Sequence, residues 1–180
     1  MSNDNQKKLK VYLDTSVISY LHQEDTPERM RDTQALWQMF REEKFEVCLS
    51  PKTLEELGVC YEPKRTMMFE RLDEIKYSCL PSFVETVKLA NKIVEMGILT
   101  AKSIDDCYHI ATAVLAGCDC IISWNFRHMV NVKTIRGIRA ITNLDGYKPI
   151  EIVSPTVLIE HQEDEEYRLW KKKTSRKTLL

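Results

Sequence analysis

The chain has 180 residues, with 26 Lys and Arg against 27 Asp and Glu, a formal net charge of −1. That length suits one domain with a full core, and 43% apolar with 29% charged residues excludes a disordered or fibrous chain. No apolar run reaches the ~18–20 residues of a membrane span, and near-balanced charge excludes a large uniformly basic surface while allowing a local nucleic-acid patch.

In chain order, Val11 to Leu13 reads as a strand ended by Asp14-Thr15-Ser16, with a short helix over Val17 to Leu21. Thr26-Pro27-Glu28 opens a longer helix: Thr26 as N-cap, Pro27 at the first helical position, Glu28 at the positive end of the dipole. Phe45 to Leu49 is a second strand. Ser50-Pro51 starts a helix through about Tyr61, and another runs from Pro63 to about Glu74. Lys76 to Leu80 is a candidate third strand. Ser82 to Met96 has helical period and ends at Gly97. Ser103-Ile104-Asp105-Asp106 resembles a capping box opening a helix that stops at Gly117. Cys118 to Ser123 is the most apolar strand and is expected at the centre of the sheet. A helix over Val132 to Leu144, a strand over Glu151 to Val153 and a short helix from Pro155 complete the pattern. Strands and helices alternate, which predicts an α/β domain of three layers: a central, mostly parallel sheet flanked by helices. The expected divisions are an N-terminal lead over 1–9, a domain over 10–155 and a charged extension over 156–180, acidic first and then basic.

Six cysteines sit mostly in apolar stretches. The first residues lack the apolar core of a secretion signal, so reduced thiols in a cytoplasmic protein are expected. Cys118-Asp119-Cys120 is spaced too closely for a zinc knuckle and has no second pair.

Ligands of parallel α/β sheets collect beyond the carboxyl ends of the strands. Asp14 and Ser16 follow the first strand, Glu55 and Glu56 the second, and Ser123-Trp124-Asn125 the strand expected at the centre. Asp105 and Asp106 open the helix before it. Gathered carboxylates repel, and a hard divalent cation among them relieves that repulsion and can activate water against a phosphodiester. On a helical wheel, Asp106 borders the stripe of Ile104, Cys107, Tyr108 and Ala111, whereas Asp105 points nearly opposite. His109 falls opposite the centre of that stripe, where local hydrogen bonding is expected of it. The wheel does not separate Glu55 from Glu56.

These segments resemble PIN domains. Val11-Tyr12-Leu13-Asp14-Thr15-Ser16 is similar to their opening motif, and Ser50-Pro51-Lys52-Thr53-Leu54-Glu55-Glu56-Leu57 to their second. Asp106-Cys107-Tyr108-His109-Ile110-Ala111 and Gly117 to Asn125 look like the third and fourth. The likeness is greatest to VapC-type toxins of toxin–antitoxin pairs. It implies an endoribonuclease dependent on Mg²⁺ or Mn²⁺, usually a homodimer, silenced by an antitoxin protein. It also favours Glu56, because the family's acid directly precedes a leucine. Asp14, Glu56 and Asp106 match the metal-binding acids, and Asn125 stands where many members have Asp. Ser16 and Asp105 are candidate supporting residues, and Arg127 and His128 candidate RNA contacts at the rim. Because Asn125 brings no charge, a catalytically weak or inactive RNA- or protein-binding module is the alternative. A phosphatase lacks both an Asp-x-Asp pair and a phosphate-cradling loop here.

Overall fold

The computed structural model describes residues 7–160 and 164. The rest of the charged extension, with its basic run Lys171 to Lys173, lies outside the described residues. Five strands form one parallel sheet: β1 (Lys10–Leu13), β2 (Glu46–Leu49), β3 (Ser78–Cys79), β4 (Cys120–Ile122) and β5 (Glu151–Val153). Their order is β3-β2-β1-β4-β5. The α-helices between them are α1 (Thr15–Ser19), α2 (Pro27–Arg41), α3 (Pro51–Gly58), α4 (Lys64–Leu72), α5 (Val84–Glu95), α6 (Ile104–Leu115) and α7 (Val132–Asp145). The α/β three-layer expectation therefore holds.

The middle strand is β1, not β4. An apolar run records burial on both faces, which any interior strand shares, and β4 is interior because it pairs with both β1 and β5. Val11, Tyr12 and Leu13 are all fully buried although β1 begins with a lysine. Alternation along β1 divides the core. Val11 and Leu13 join Leu36, Trp37 and Phe40 on one face, while Tyr12 joins Ile110, Ala111 and Val114 on the other. Val17, Leu21, Trp37 and Phe40 all belong to the core. Four of the six free cysteines, 48, 107, 118 and 120, are buried, and Cys79 is exposed. Burial pushes the Cys107 thiol up to about 12, which suits an inert packing role.

Local signals met with mixed outcomes. Ser50 caps α3 by accepting from the Thr53 N–H at 3.3 Å, and Gly97 and Gly117 end α5 and α6 with φ of +68° and +64°. The helix expected through Tyr61 stops at Gly58, and the third strand shrinks to two residues. Ser103 makes no cap. It ends a 3-10 turn over Ala101–Ser103 with ψ of 28°, so its hydroxyl misses the first amides of α6 and lies 3.4 Å from His128 Nδ1. The α7 cap is instead Asn131, which accepts from the Thr134 N–H at 2.9 Å.

Helix α7 meets the loop after α5 through a glycine. A Cβ on Gly137 would fall 2.6 Å from Ile98 Cγ1, with two further Ile98 carbons under 3.0 Å. Gly137→Ala gains about 1 kcal/mol of helix propensity but overpacks a buried contact, for a net loss of about 1–2 kcal/mol in urea unfolding. The same change on an Ile98→Ala background is expected to cost nothing or to stabilise, because the opposing carbons are gone.

Candidate metal centre

The side-chain alternation that sends Tyr12 toward α6 sends Asp14, two residues on, the same way. Leu13 pairs with Ile122, so Asp14 and Ser123 leave the sheet side by side, with the Asp14 N–H donating to the Ile122 carbonyl at 3.1 Å. The Asp14 carboxylate is buried, at 5% exposure. Its Oδ2 accepts from both Ser16 Oγ and Ser123 Oγ, each at 2.6 Å. Ser16 in turn accepts from the Trp124 N–H at 2.9 Å, so the hydroxyl is aimed before it meets the acid. Oδ1 faces His109 Nε2 at 4.0 Å.

Glu56 comes from α3, which lies against both α1 and α6. Its Oε2 accepts from the Thr15 hydroxyl and lies 3.2 Å from His109 Nε2. Burial works against its charge, yet the His109 contact and the Thr15 hydrogen bond outweigh burial and hold the carboxyl below its ordinary value. Glu55 is exposed beside Lys52 at 3.8 Å, which separates the two glutamates that the wheel left equivalent.

His109 is 1% exposed, contrary to the wheel, because α3 covers the side of α6 that the sheet leaves open. Both ring nitrogens have hydrogen-bond partners. Nδ1 lies 2.7 Å from the Tyr12 hydroxyl, which is also hydrogen-bonded to Ser50 Oγ at 2.6 Å. Burial disfavours the imidazolium, but the Glu56 hydrogen bond and the charges of Asp14, Glu56 and Asp106 prevail and raise its pKa. One ligand atom each from Asp14, Glu56 and His109 lies within 4.8 Å of the others.

Asp106 stands beside this triad in the first turn of α6. Its Oδ1 accepts from Asn125 Nδ2 at 2.9 Å and its Oδ2 meets His128 Nδ1 at 2.8 Å. Burial raises its pKa, His128 pulls it back, and the Asp14 charge adds to the rise. Asn125 ties the two parts together: its N–H donates to Ser123 Oγ at 2.9 Å, and its side-chain carbonyl accepts from the His128 N–H at 3.0 Å. Asp105 is turned away, as its wheel position predicts, and pairs with Lys52 at 2.9 Å. Arg127 is exposed next to the site, whereas His128 belongs to it through Asp106. Trp124 is a buried packing residue whose Nε1 donates to Thr33 Oγ1 at 2.8 Å.

The sequence places Ser123 at a strand end without a role, and it leaves Tyr12 and the burial of His109 unread. The signals were present. Tyr12 shares a face with Asp14, and His109 is one turn along α6 from Asp106.

Comparison with known proteins follows the same lines. A family model described as PIN domain matches residues 10–127. Among solved structures, a similar one is that of VapBC2 from Rickettsia felis bound to a DNA fragment from their promoter. It is 13% identical, with 66% of this chain and 90% of that chain covered and a TM-score of 0.48. No curated protein matches the chain. With the model spanning 118 of 180 residues and all four motif segments meeting at one end of the sheet, the chain belongs to the PIN-domain family.

Proposed function

We propose that the chain is a Mg²⁺- or Mn²⁺-dependent endoribonuclease and the toxin of a toxin–antitoxin pair, with residues 10–155 as its nuclease domain and 156–180 as a charged extension. The toxin assignment rests on the motif likeness to VapC-type proteins, which also supports an antitoxin partner, a homodimer and a cytoplasmic place of action. No helix among the described residues is long and apolar enough to cross a membrane.

The observation that carries the nuclease reading is the division of labour within Asp14. Two serines saturate Oδ2, and Oδ1 is left facing Glu56 and His109. A buried carboxylate so arranged is oriented for a ligand. Oxygen donors from Asp14, Glu56 and Asp106 suit a hard cation such as Mg²⁺ or Mn²⁺. When bound, such an ion polarises the phosphodiester and supplies an activated water. The chain's own residues do the rest. Ser16 and Ser123 hold Asp14. Tyr12 orients His109, which steadies Glu56. Asn125 and His128 each take one oxygen of Asp106 and fix its plane.

Asn125 also supports a second reading, a catalytically weak binding module. Its amide donates to Asp106 where an acid would add charge. Purified chain incubated with defined RNAs, in Mg²⁺ or Mn²⁺ and in EDTA, separates the two. Metal-dependent cleavage that falls to the EDTA background in Asp14→Asn and Asp106→Asn, with thermal melts intact, is the expected result. Partner binding with no turnover would select the module.

A second measurement addresses the serines. Ser123→Ala keeps every proposed ligand but removes one donor to Asp14 and the acceptor of the Asn125 N–H, so calorimetry should show Mn²⁺ binding weakened about ten-fold. Unchanged affinity would mean that Asp14 needs no such support.

A further inference from the structure

One cation near the acids has no role so far. Arg29, half-buried in the first turn of α2, points its guanidinium among three rings. Its Cζ lies 5.1 Å from the Phe126 ring centre, 5.5 Å from Trp124 and 5.8 Å from Tyr20. Nη1 donates to the Tyr20 hydroxyl at 3.2 Å. Among the described residues, no carboxylate forms an ion pair with it. Tyr20 and Trp124 lie 5.7 Å apart at a tilt of 31°, Trp124 and Phe126 6.1 Å apart at 54°, and Phe126 is 43% exposed.

The position of this cluster gives it meaning. Trp124 lies between Ser123, which holds Asp14, and Asn125, which holds Asp106, and Phe126 follows directly. The platform therefore begins one residue from the candidate metal centre. A polyanion approaching that centre meets Asp14, Glu56 and Asp106, and repulsion must be offset close by. A guanidinium fixed by aromatic faces has donors to spare and loses little freedom on meeting a phosphate. An exposed ring beside it offers a base a stacking face without reading its identity.

We propose that Arg29 and Phe126 form a subsite for single-stranded RNA next to the cleavage position: a base stacks on Phe126 and the neighbouring phosphate pairs with Arg29. The inference rests on the ribonuclease reading for its ligand, but its test does not need turnover. A labelled single-stranded oligoribonucleotide is titrated with the full chain in Ca²⁺ and followed by anisotropy, with gels to confirm that it stays intact. Phe126→Ala and Phe126→Leu are expected to weaken binding about ten-fold, and Phe126→Trp to restore it. Arg29→Gln is expected to flatten the dependence of log affinity on log salt by about 0.7, the share of one phosphate on a single strand. Phe83→Ala removes another exposed ring, which lines a cavity together with the last turn of α6 at the end opposite Asp106, and serves as the control. Wild-type affinity in the Phe126 variants with an unchanged salt slope in Arg29→Gln overturns the subsite, as does failure of the wild-type chain to bind RNA. Loss of a protein partner with RNA binding intact also overturns it and makes the rings a protein contact. Cleavage in Mg²⁺ is scored separately, so a chain that binds through this subsite but cuts nothing refutes the nuclease and leaves the subsite standing.

Discussion

Everything at the carboxyl end of this sheet answers to one constraint: three carboxylates are gathered where little water reaches them. Asp14 is nearly sealed, and Glu56 and Asp106 are partly so. Such a group is stable only if each charge has its own compensation. The chain supplies three kinds. Hydroxyl donors hold Asp14, an imidazole and a hydroxyl hold Glu56, and an amide with a second imidazole holds Asp106. The outcomes differ in sign: Glu56 is kept below its ordinary pKa and Asp106 above it. Neighbouring acids under one roof are thus unequal, because their partners, not their burial alone, set the balance.

The same constraint explains the company of polar residues in an otherwise apolar layer. Tyr12, Ser50, Thr53 and His109 are all buried and joined through the Tyr12 hydroxyl, which is hydrogen-bonded to each of the other three, and no buried side-chain polar atom among the described residues lacks a partner. A network so satisfied gives the imidazole one orientation. It also couples the site to the core, since Tyr12 lies at the heart of β1.

Much of this was legible in the residues. Periodicity and cap chemistry located the elements, and the alternation of strand and helix implied the parallel sheet. The wheel separated Asp106 from Asp105, since one side of α6 packs and the other faces Lys52. Three things were not legible. Strand order was one, because apolarity reports burial and not position in the sheet. The burial of His109 was another, because the wheel sees only the helix it is drawn for, and α3 arrives from fifty residues earlier. The choice between Glu55 and Glu56 was the third. It depends on which side of α3 meets α1 and α6, a tertiary fact; the family likeness favours Glu56, and Glu56 is the one that lies against His109. The failed cap at Ser103 has a similar origin. A 3-10 turn, invisible to a four-residue motif, sets the hydroxyl toward His128.

The parallel arrangement carries a consequence for biogenesis. Asp14 takes one of its two serine donors from a residue 109 positions later, and the two partners of Asp106 come 19 and 22 positions after it. Synthesis is vectorial, and contacts of such long range form only when the later segment is available. A nascent chain that has exposed β1, β2 and their helices has the first acids but neither Ser123 nor Asn125 to arrange them. The centre is therefore completed late in translation, and truncated products ending before β4 carry the acids of the site without its geometry.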